Sequence, residues 1–433
     1  MTFLKTRRAI LTAITALGLA SALTGPSYAD PVTLSFLVDN APSTVAVAEE
    51  LKKQFEAANA DIKIDIEQRP GGADGDNIIK TRLATGDMTD VFMYNSGSLF
   101  QAMNPAQNLV DLSNEPWQAD ILSSFKQVVT APDGTVRGAP FGAAMGGGVL
   151  YNKKIYADLG LSIPKTWADF MANNEKIKAA GKVLVIQTFG ATWTSQLFVL
   201  GDFYNVQAAV PTFAADYTAN KAKYATTPAA MKGFEHGEEV LKAGDLNADF
   251  AAATFEDGVT KVAKGDGAHY TMLTFAVATI QQLAPENLND VGLFALPGDD
   301  ASKNGLTVWM PAGLYIPTSN TEHLDAAKKF VAFVASKAGC DAMNTAGGGT
   351  GPYLIKGCTL PATVPPVVSD LLPYFQQDGT TAPALEFVSP VKGPSLEQIT
   401  VEVGSGIRSA ADGAALYDED VKKQAQQLGL PGW

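Results

Sequence analysis

Cysteine and histidine are scarce: 433 residues hold two of the former and three of the latter. Cys340, Cys358, His236, His269 and His323 show none of the short ligand spacings of a metal site, so no structural zinc is expected. Basic residues are also in short supply. Thirty-two Lys and Arg face 45 Asp and Glu, a formal net charge of −13. That balance argues against nucleic acid and anionic membrane surfaces as partners. No G-x-S-x-G elbow occurs, so the common α/β hydrolase lacks its nucleophile. Gly347-Gly348-Gly349-Thr350-Gly351 lacks the Gly-Lys-Ser/Thr of a phosphate loop and follows a helical stretch, so it reads as a turn. Carboxylates are too numerous for counting to exclude a glycosidase pair, but none stands out by context. Asp90 reads as a residue that caps or pins a strand end. There is no internal repeat and no low-complexity segment. Past the first thirty residues, no apolar run reaches the roughly 20 residues that span a bilayer.

What is present is a core-forming composition, 46% hydrophobic against 18% charged. Such a chain is folded, and its length predicts two domains or one unusually large one. Residues 1–29 carry Lys5, Arg7 and Arg8, then an apolar stretch from Ala9 to about Leu23, then Gly25-Pro26. Ser27-Tyr28-Ala29 fits a small-x-small cleavage site, so residues 1–29 read as a signal peptide and the mature chain starts at Asp30. The apolar stretch is too short for a membrane anchor. Arg7-Arg8 leaves both the general and the twin-arginine export routes open. No Cys lies near the cleavage site to take a lipid. The protein is expected to be soluble and periplasmic. In that oxidising compartment Cys340 and Cys358 are expected to form one disulfide, with two buried thiols as the alternative.

Helix and strand signals alternate along the chain, the mark of an α/β fold. Val32–Val38 reads as a strand. Ser43 and Thr44 are placed to cap a helix through about Ala58, with Val47, Ala48, Leu51 and Phe55 on one face. Ile62–Ile66 alternates as a second strand, Ile78–Thr85 is helical, and Val91–Tyr94 is a third strand. This run resembles half of a doubly wound sheet, whose ligands sit at the carboxyl ends of the strands. Those ends are Asp39-Asn40, Gln68-Arg69 and Asn95-Ser96-Gly97. Thr166 and Asp169 are spaced as a capping box for a helix that ends near Gly181. Strands follow at Val183–Ile186 and Gly292–Ala295. A helix face after Thr321 carries Leu324, Ala327, Val331 and Val334, and a charged helix spans about Asp418–Leu428. Gly- and Pro-rich places are scattered, as several crossings between two lobes would leave them.

Aromatic residues on loops complete the picture: Tyr94, Phe141, Trp193, Phe275, Trp309 and Tyr353. Trp193 sits among small polar residues just past a strand, and Trp309 sits near Pro311 and Gly313. An indole face suits the C–H face of a sugar ring, while Asp, Asn and Ser at strand ends suit its hydroxyl rim. Trp167, in a first helical turn, reads as packing.

Four stretches then carry a resemblance. Gly86-Asp87-Met88-Thr89-Asp90-Val91-Phe92 is one, with Thr89 where Pro is usual. Gly138-Ala139-Pro140, Leu150-Tyr151-Asn152-Lys153 and Pro164-Lys165-Thr166-Trp167 form the most specific one. Phe255 to Phe275 is the third, with His269 where Met is usual. Asp290–Pro297, Ala312-Gly313 and Ala326–Ser336 form the fourth. In this order the chain resembles the extracellular family 1 solute-binding proteins of ABC importers, which include sugar and glycerol-phosphate receptors.

The resemblance implies a two-lobed periplasmic-binding-protein fold of type II-like α/β architecture, with two or three crossing segments as its hinge. It implies one lobe from residues 30–140 and about 312–354, and a second from about 141–311 and 355–433. A sugar or polyol would be held between them and passed, unaltered, to a membrane ABC permease by a monomer that needs no cofactor. By position the ligand-binding residues would be Asp39, Asn40, Asn95 and Ser96 of the first lobe, Met145 at a crossing, and Trp193 and Phe275 of the second. Trp309 lies at the return crossing, with Tyr353 and Ser395 further along. Gly146–Gly148 would let the crossing strands approach the ligand. A polyamine would suit the acidic chain, −16 without residues 1–29. Glycerol phosphate finds only Arg69 as a basic partner. An exported polysaccharide-acting enzyme would need an acid and base pair that the sequence does not display.

Overall fold

The computed structural model describes residues 31–320, 322–347 and 349–433. The signal-peptide reading, Thr321 and Gly348 lie outside the described residues. Eleven strands occur among those described: β1 Val32–Asp39, β2 Ile62–Arg69, β3 Val91–Tyr94, β4 Ala139–Phe141, β5 Met145–Asn152, β6 Val183–Ile186, β7 Gly267–Leu273, β8 Val291–Ala295, β9 Leu306–Trp309, β10 Ala312–Tyr315 and β11 Thr381–Pro383.

They form two sheets. The first has the order β2-β1-β3-β10-β4, and the second β11-β9-β5-β7-β6 with β8 also on β5. In the first, β1 is parallel to β2 and β3, while β10 is antiparallel to β3 and β4. In the second, β6 and β7 are parallel, and β5 is antiparallel to β7, β8 and β9. Parallel neighbours place their carboxyl ends along one sheet edge. Asp39 and Arg69 are therefore register partners across β1 and β2.

The chain passes between the sheets three times, at residues 142–144, 310–311 and 356–365. Each sheet has its own core. Phe36, Phe55, Phe92 and Phe330 belong to the first, and Phe213, Tyr217, Tyr224 and Tyr417 to the second. Burying one such ring contributes about 1.5–3 kcal/mol.

Helix α1, Pro42–Ala58, buries the stripe read from the sequence, Val47, Ala48, Leu51 and Phe55. Its start differs. Ser43 and Thr44 do not cap it; the N-cap is Ala41, without a side-chain bond. Pro42 suits the first helical position, so the chain enters one residue early. Asp39 organises the turn instead, its Oδ1 accepting the Ala41 N–H at 3.0 Å. Helix α2 spans Gly72–Thr85, starting at Gly72 where the sequence indicated Ile78. Two glycines, Gly71 and Gly72, mask that start. The last helix is Ala410–Gln427, capped by Ser409, and begins before the expected Asp418.

Other local readings recur in the structure. Thr166 and Asp169 form the reciprocal capping box of helix Trp167–Ala179. Asp90 pins strands together: its Oδ2 accepts from the Ser35 N–H and hydroxyl, both at 2.8 Å. Trp167 packs flat on Phe170 and His236. Cys340 and Cys358 are disulfide-bonded. The glycines of β5 are explained by protein neighbours. A Cβ on Gly146 would lie 2.5 Å from Leu306 and Leu371, one on Gly147 2.2 Å from the Trp309 ring, and one on Gly148 2.4 Å from the Phe294 carbonyl. These glycines give room to β9, β8 and the helix behind them.

Candidate functional site

The site is assembled from the carboxyl ends of two sets of parallel strands. On the first sheet these ends carry Asp39 and Asn40, Arg69, and Tyr94 to Ser96. Asp39 is half-buried and Asn40 exposed. Burial pushes the Asp39 carboxyl up, while the Ala41 N–H, the Thr44 hydroxyl and the Arg69 charge hold it down. Arg69 is buried, 5% exposed. Its Nη1 donates to the Pro70 carbonyl at 2.9 Å, its guanidinium lies 5.6 Å from the Tyr94 ring centroid, and its Nε has no partner.

The Tyr94 hydroxyl is likewise buried with no partner of standard geometry, and the Asp76 carboxylate of α2 faces it. Burial raises Asp76; the Tyr94 hydroxyl, Lys392, Lys80 and Arg69 oppose it. Asn95 is exposed, and its carbonyl accepts the Tyr315 hydroxyl at 3.1 Å. Ser96 is buried and donates to the Pro311 carbonyl at 2.8 Å, tying β3 to a crossing segment. Ser98, first residue of α3 (Ser98–Gln101), adds another buried oxygen without a partner. A buried polar atom of this kind costs free energy unless something bonds it.

On the second sheet, the ends of β6 and β7 deliver aromatic rings. Trp193 lies on the turn Thr192–Gln196, Phe255 opens helix Phe255–Lys264, and Phe275 is the N-cap of helix Ala276–Leu283. Their centroids form a triangle: Trp193–Phe255 5.4 Å, Trp193–Phe275 6.0 Å, Phe255–Phe275 5.3 Å. Trp193 and Phe275 are thus brought together. Both are half-buried, and Phe255 is the buried member that backs them.

The two sets of ends meet. A Cβ on Gly72 would lie 3.5 Å from the Glu397 carboxylate and 3.7 Å from Trp193. The Ala73 N–H donates to Glu397 Oε1 at 3.0 Å. Thr279, one turn beyond Phe275, reaches Ser43 of α1 at 3.4 Å. A Cβ on Gly97 would lie 2.4 Å from the Glu386 carbonyl. So the ends of β1, β2 and β3 each face an element of the second lobe.

Charge concentrates there. Lys392, 14% exposed, pairs with Glu386 at 3.4 Å and also faces Asp76 and Glu397.

The remaining expected residues fall elsewhere or are already engaged. Met145 is half-buried at the start of β5, in register with Trp309. Trp309 is 6% exposed and covers Gly147 within the second core. Tyr353 packs in the first core and its hydroxyl donates to Asn344 Oδ1 at 2.9 Å. The Ser395 hydroxyl and amide both bond Asp420, at 2.9 and 2.8 Å. Asp76, Lys392, Glu386 and Glu397 were not singled out from sequence. Their only trace there is the Gly71-Gly72 pair that opens a helix, and a carboxylate two residues past Ser395.

Comparison with known proteins adds to this geometry. The family model of bacterial extracellular solute-binding proteins matches residues 40–339. The chain is 24% identical over 322 residues to the multiple sugar-binding protein of Streptococcus mutans, with 72% of each chain covered. It is 24% identical over 332 residues to the melibiose/raffinose/stachyose-binding protein of Bacillus subtilis, covering 73% of this chain and 74% of that one. Among solved structures, a chitin oligosaccharide binding protein superimposes with a TM-score of 0.79 at 20% identity, covering 92% of this chain and 100% of that one. A raffinose-bound solute-binding protein gives 0.74 at 20% identity, covering 92% and 99%.

Proposed function

Because the chain belongs to the bacterial extracellular solute-binding protein family, we propose that it is a periplasmic receptor that binds a sugar or polyol between its lobes. It hands that ligand, chemically unchanged, to a membrane ABC permease, and works as a monomer. The lobes comprise residues 30–140 with about 312–354, and about 141–311 with 355–433.

The observation that carries this reading is a pairing of opposites across the cleft. The Trp193, Phe255 and Phe275 rings come from one lobe. The buried Arg69 Nε and Ser98 Oγ, which have no partner, and the Tyr94 Oη, which faces the Asp76 carboxylate, come from the other. A saccharide ring has apolar faces for the former and hydroxyls for the latter. The relatives named for sugars support the same ligand class. Because each lobe supplies half of the contacts, the ligand binds the closed arrangement better and draws the lobes together.

The test is a thermal-shift and Trp fluorescence panel of mono-, di- and oligosaccharides and polyols. A true ligand at 100 times its Kd stabilises by about 2.7 kcal/mol. No response to any sugar or polyol, with a response to spermidine or glycerol phosphate, overturns the ligand class. Turnover of a polysaccharide, lost on substitution of one carboxylate, overturns the receptor.

A further inference from the structure

We propose that Glu397 is an interlobe latch: carried by one lobe, its carboxylate caps helix α2 of the other and sets how readily the cleft closes. The proposal rests on the receptor reading above, in which the lobes move relative to each other.

Helix α2 opens without a cap of its own. Its N-cap is Gly71, which has no side chain, and the first N–H groups of any helix lack intrahelical partners. The Ala73 N–H finds its acceptor 324 residues away, in Glu397 Oε1 at 3.0 Å. A carboxylate suits this place, since the helix dipole leaves partial positive charge at the N-terminus.

The second lobe aims the group. Glu397 lies in the first turn of helix Leu396–Gly404, and its Oε2 accepts the Thr192 hydroxyl at 3.1 Å. Ser195 on the same turn donates to the Glu397 carbonyl at 2.9 Å and meets the Thr400 hydroxyl at 2.7 Å. Gly72, at φ +67, lies against both groups: a Cβ there would touch the carboxylate at 3.5 Å and Trp193 at 3.7 Å. Glu397 is 7% exposed, so solvent competes little for it.

Two other hydrogen bonds join α1 to the facing helix: Thr279 to Ser43 at 3.4 Å, and Gln282 to the Pro42 carbonyl at 3.3 Å. Both are longer, and neither has a charged partner. The Glu397 bond is the strong one of the three, because an ionised acceptor strengthens a hydrogen bond.

Every partner of the latch is a protein group. It therefore forms on closure whatever the ligand, and multiplies every affinity by the same factor, the fraction of closing-competent molecules. Glu397 acts through closure and is a positioning residue. The charged groups facing it are Lys392 and Asp76, with the Thr192 hydroxyl and Ala73 N–H as its donors. Burial raises its carboxyl, and Lys392 and both donors oppose this, so acid weakens the latch by protonating it.

The experiment uses the mature chain, small-angle X-ray scattering without ligand, and calorimetric titration with two sugars identified by the panel. Glu397→Ala is expected to raise the ligand-free radius of gyration. It should weaken both sugars by the same factor, roughly three- to tenfold, the usual worth of one cap. Gly71→Ser provides α2 with a cap from its own lobe, at a position where a Cβ meets nothing within 4 Å. It should open the ligand-free protein in the same direction without touching Glu397, and it decides the matter if Glu397→Ala fails to fold. Unchanged scattering in both variants overturns the latch. So does a Glu397→Ala effect that differs several-fold between the two sugars, which would make Glu397 a ligand contact. If no sugar binds at all, the receptor reading falls while scattering still reads the latch.

Discussion

The imidazole of His236 lies flat on the indole of Trp167, with ring centroids 3.7 Å apart and planes 16° from parallel. His236 is buried and neither of its nitrogens has a partner. Burial first, and the Lys232 charge second, push its pKa down to about 3. His269 is depressed to about 3 as well, by burial, with the Leu184 backbone opposing; its Nε2 meets the Tyr156 hydroxyl at 2.8 Å.

These histidines predict acid lability from near neutrality. The unfolded chain protonates each near 6.5 and the folded one does not, so their stabilisation is complete above pH 6.5 and is lost progressively as pH falls to about 3. Asp202 has the opposite sign. Burial raises it to about 8, so its contribution is complete below the unfolded value of 3.8 and is lost as pH rises through 8. Each histidine contributes a fall of about 1.4 kcal/mol per pH unit below pH 6.5, which Asp202 and the raised carboxyls of Asp39, Asp76 and Glu397 oppose. Tm measured from pH 8.5 to 4.5 checks this. His236→Phe keeps an aromatic on Trp167, loses no hydrogen bond, and should flatten the acid side; an unchanged acid slope refutes the assignment.

Trp193 touches both the aromatic triangle and the facing lobe at Gly72. Trp193→Ala should weaken sugar binding by about 2 kcal/mol, roughly thirtyfold, as expected for a buried aromatic anchor. Calorimetric titration checks it. Because the ring is half-buried, Tm should move by only a few degrees.

Arg69 is a buried cation flanked by Asp39 and Asp76. Lys cannot reproduce its planar fork, and its ammonium cannot place donors at both the Nη1 and Nε positions. Arg69→Lys is expected to reduce affinity at least tenfold, about 1.4 kcal/mol, with a smaller fall in stability. Equal affinity for wild type and variant would remove Arg69 from the site.

The disulfide closes a loop with a sequence separation of 18, and both cysteines pack with the core of the first sheet. Replacing both cysteines by Ala should lower stability by about 3 kcal/mol, through the entropy regained by the unfolded chain. Affinity should stay the same, since neither cysteine is among the partners of Trp193 and Arg69 described above. Urea unfolding and titration of the double variant separate the two effects.

Local physics made much of this molecule legible in advance. The stripe of α1 and the Thr166–Asp169 capping box depend on residues close in sequence, and Asp90 was legible as a pin though not its partner Ser35, 55 residues away. The placing of Asp39, Arg69 and Asn95 at strand ends follows from three parallel strands read one by one. Trp193 and Phe275 were recognisable as loop aromatics, because small polar neighbours leave a large ring little local packing.

The amino-acid order alone determined the alternation of helices and strands, and the two-lobed class through its motifs. The remainder needed three dimensions. No local rule says that an acid at 397 will cap a helix that starts at 72, that Trp309 will lie on Gly147, or that Asp420 will take the Ser395 hydroxyl. Hydrophobic period and capping preference act over one or two helical turns. Partners brought together by chain crossings are chosen by how whole lobes pack, so their pairing becomes visible only once the fold is closed.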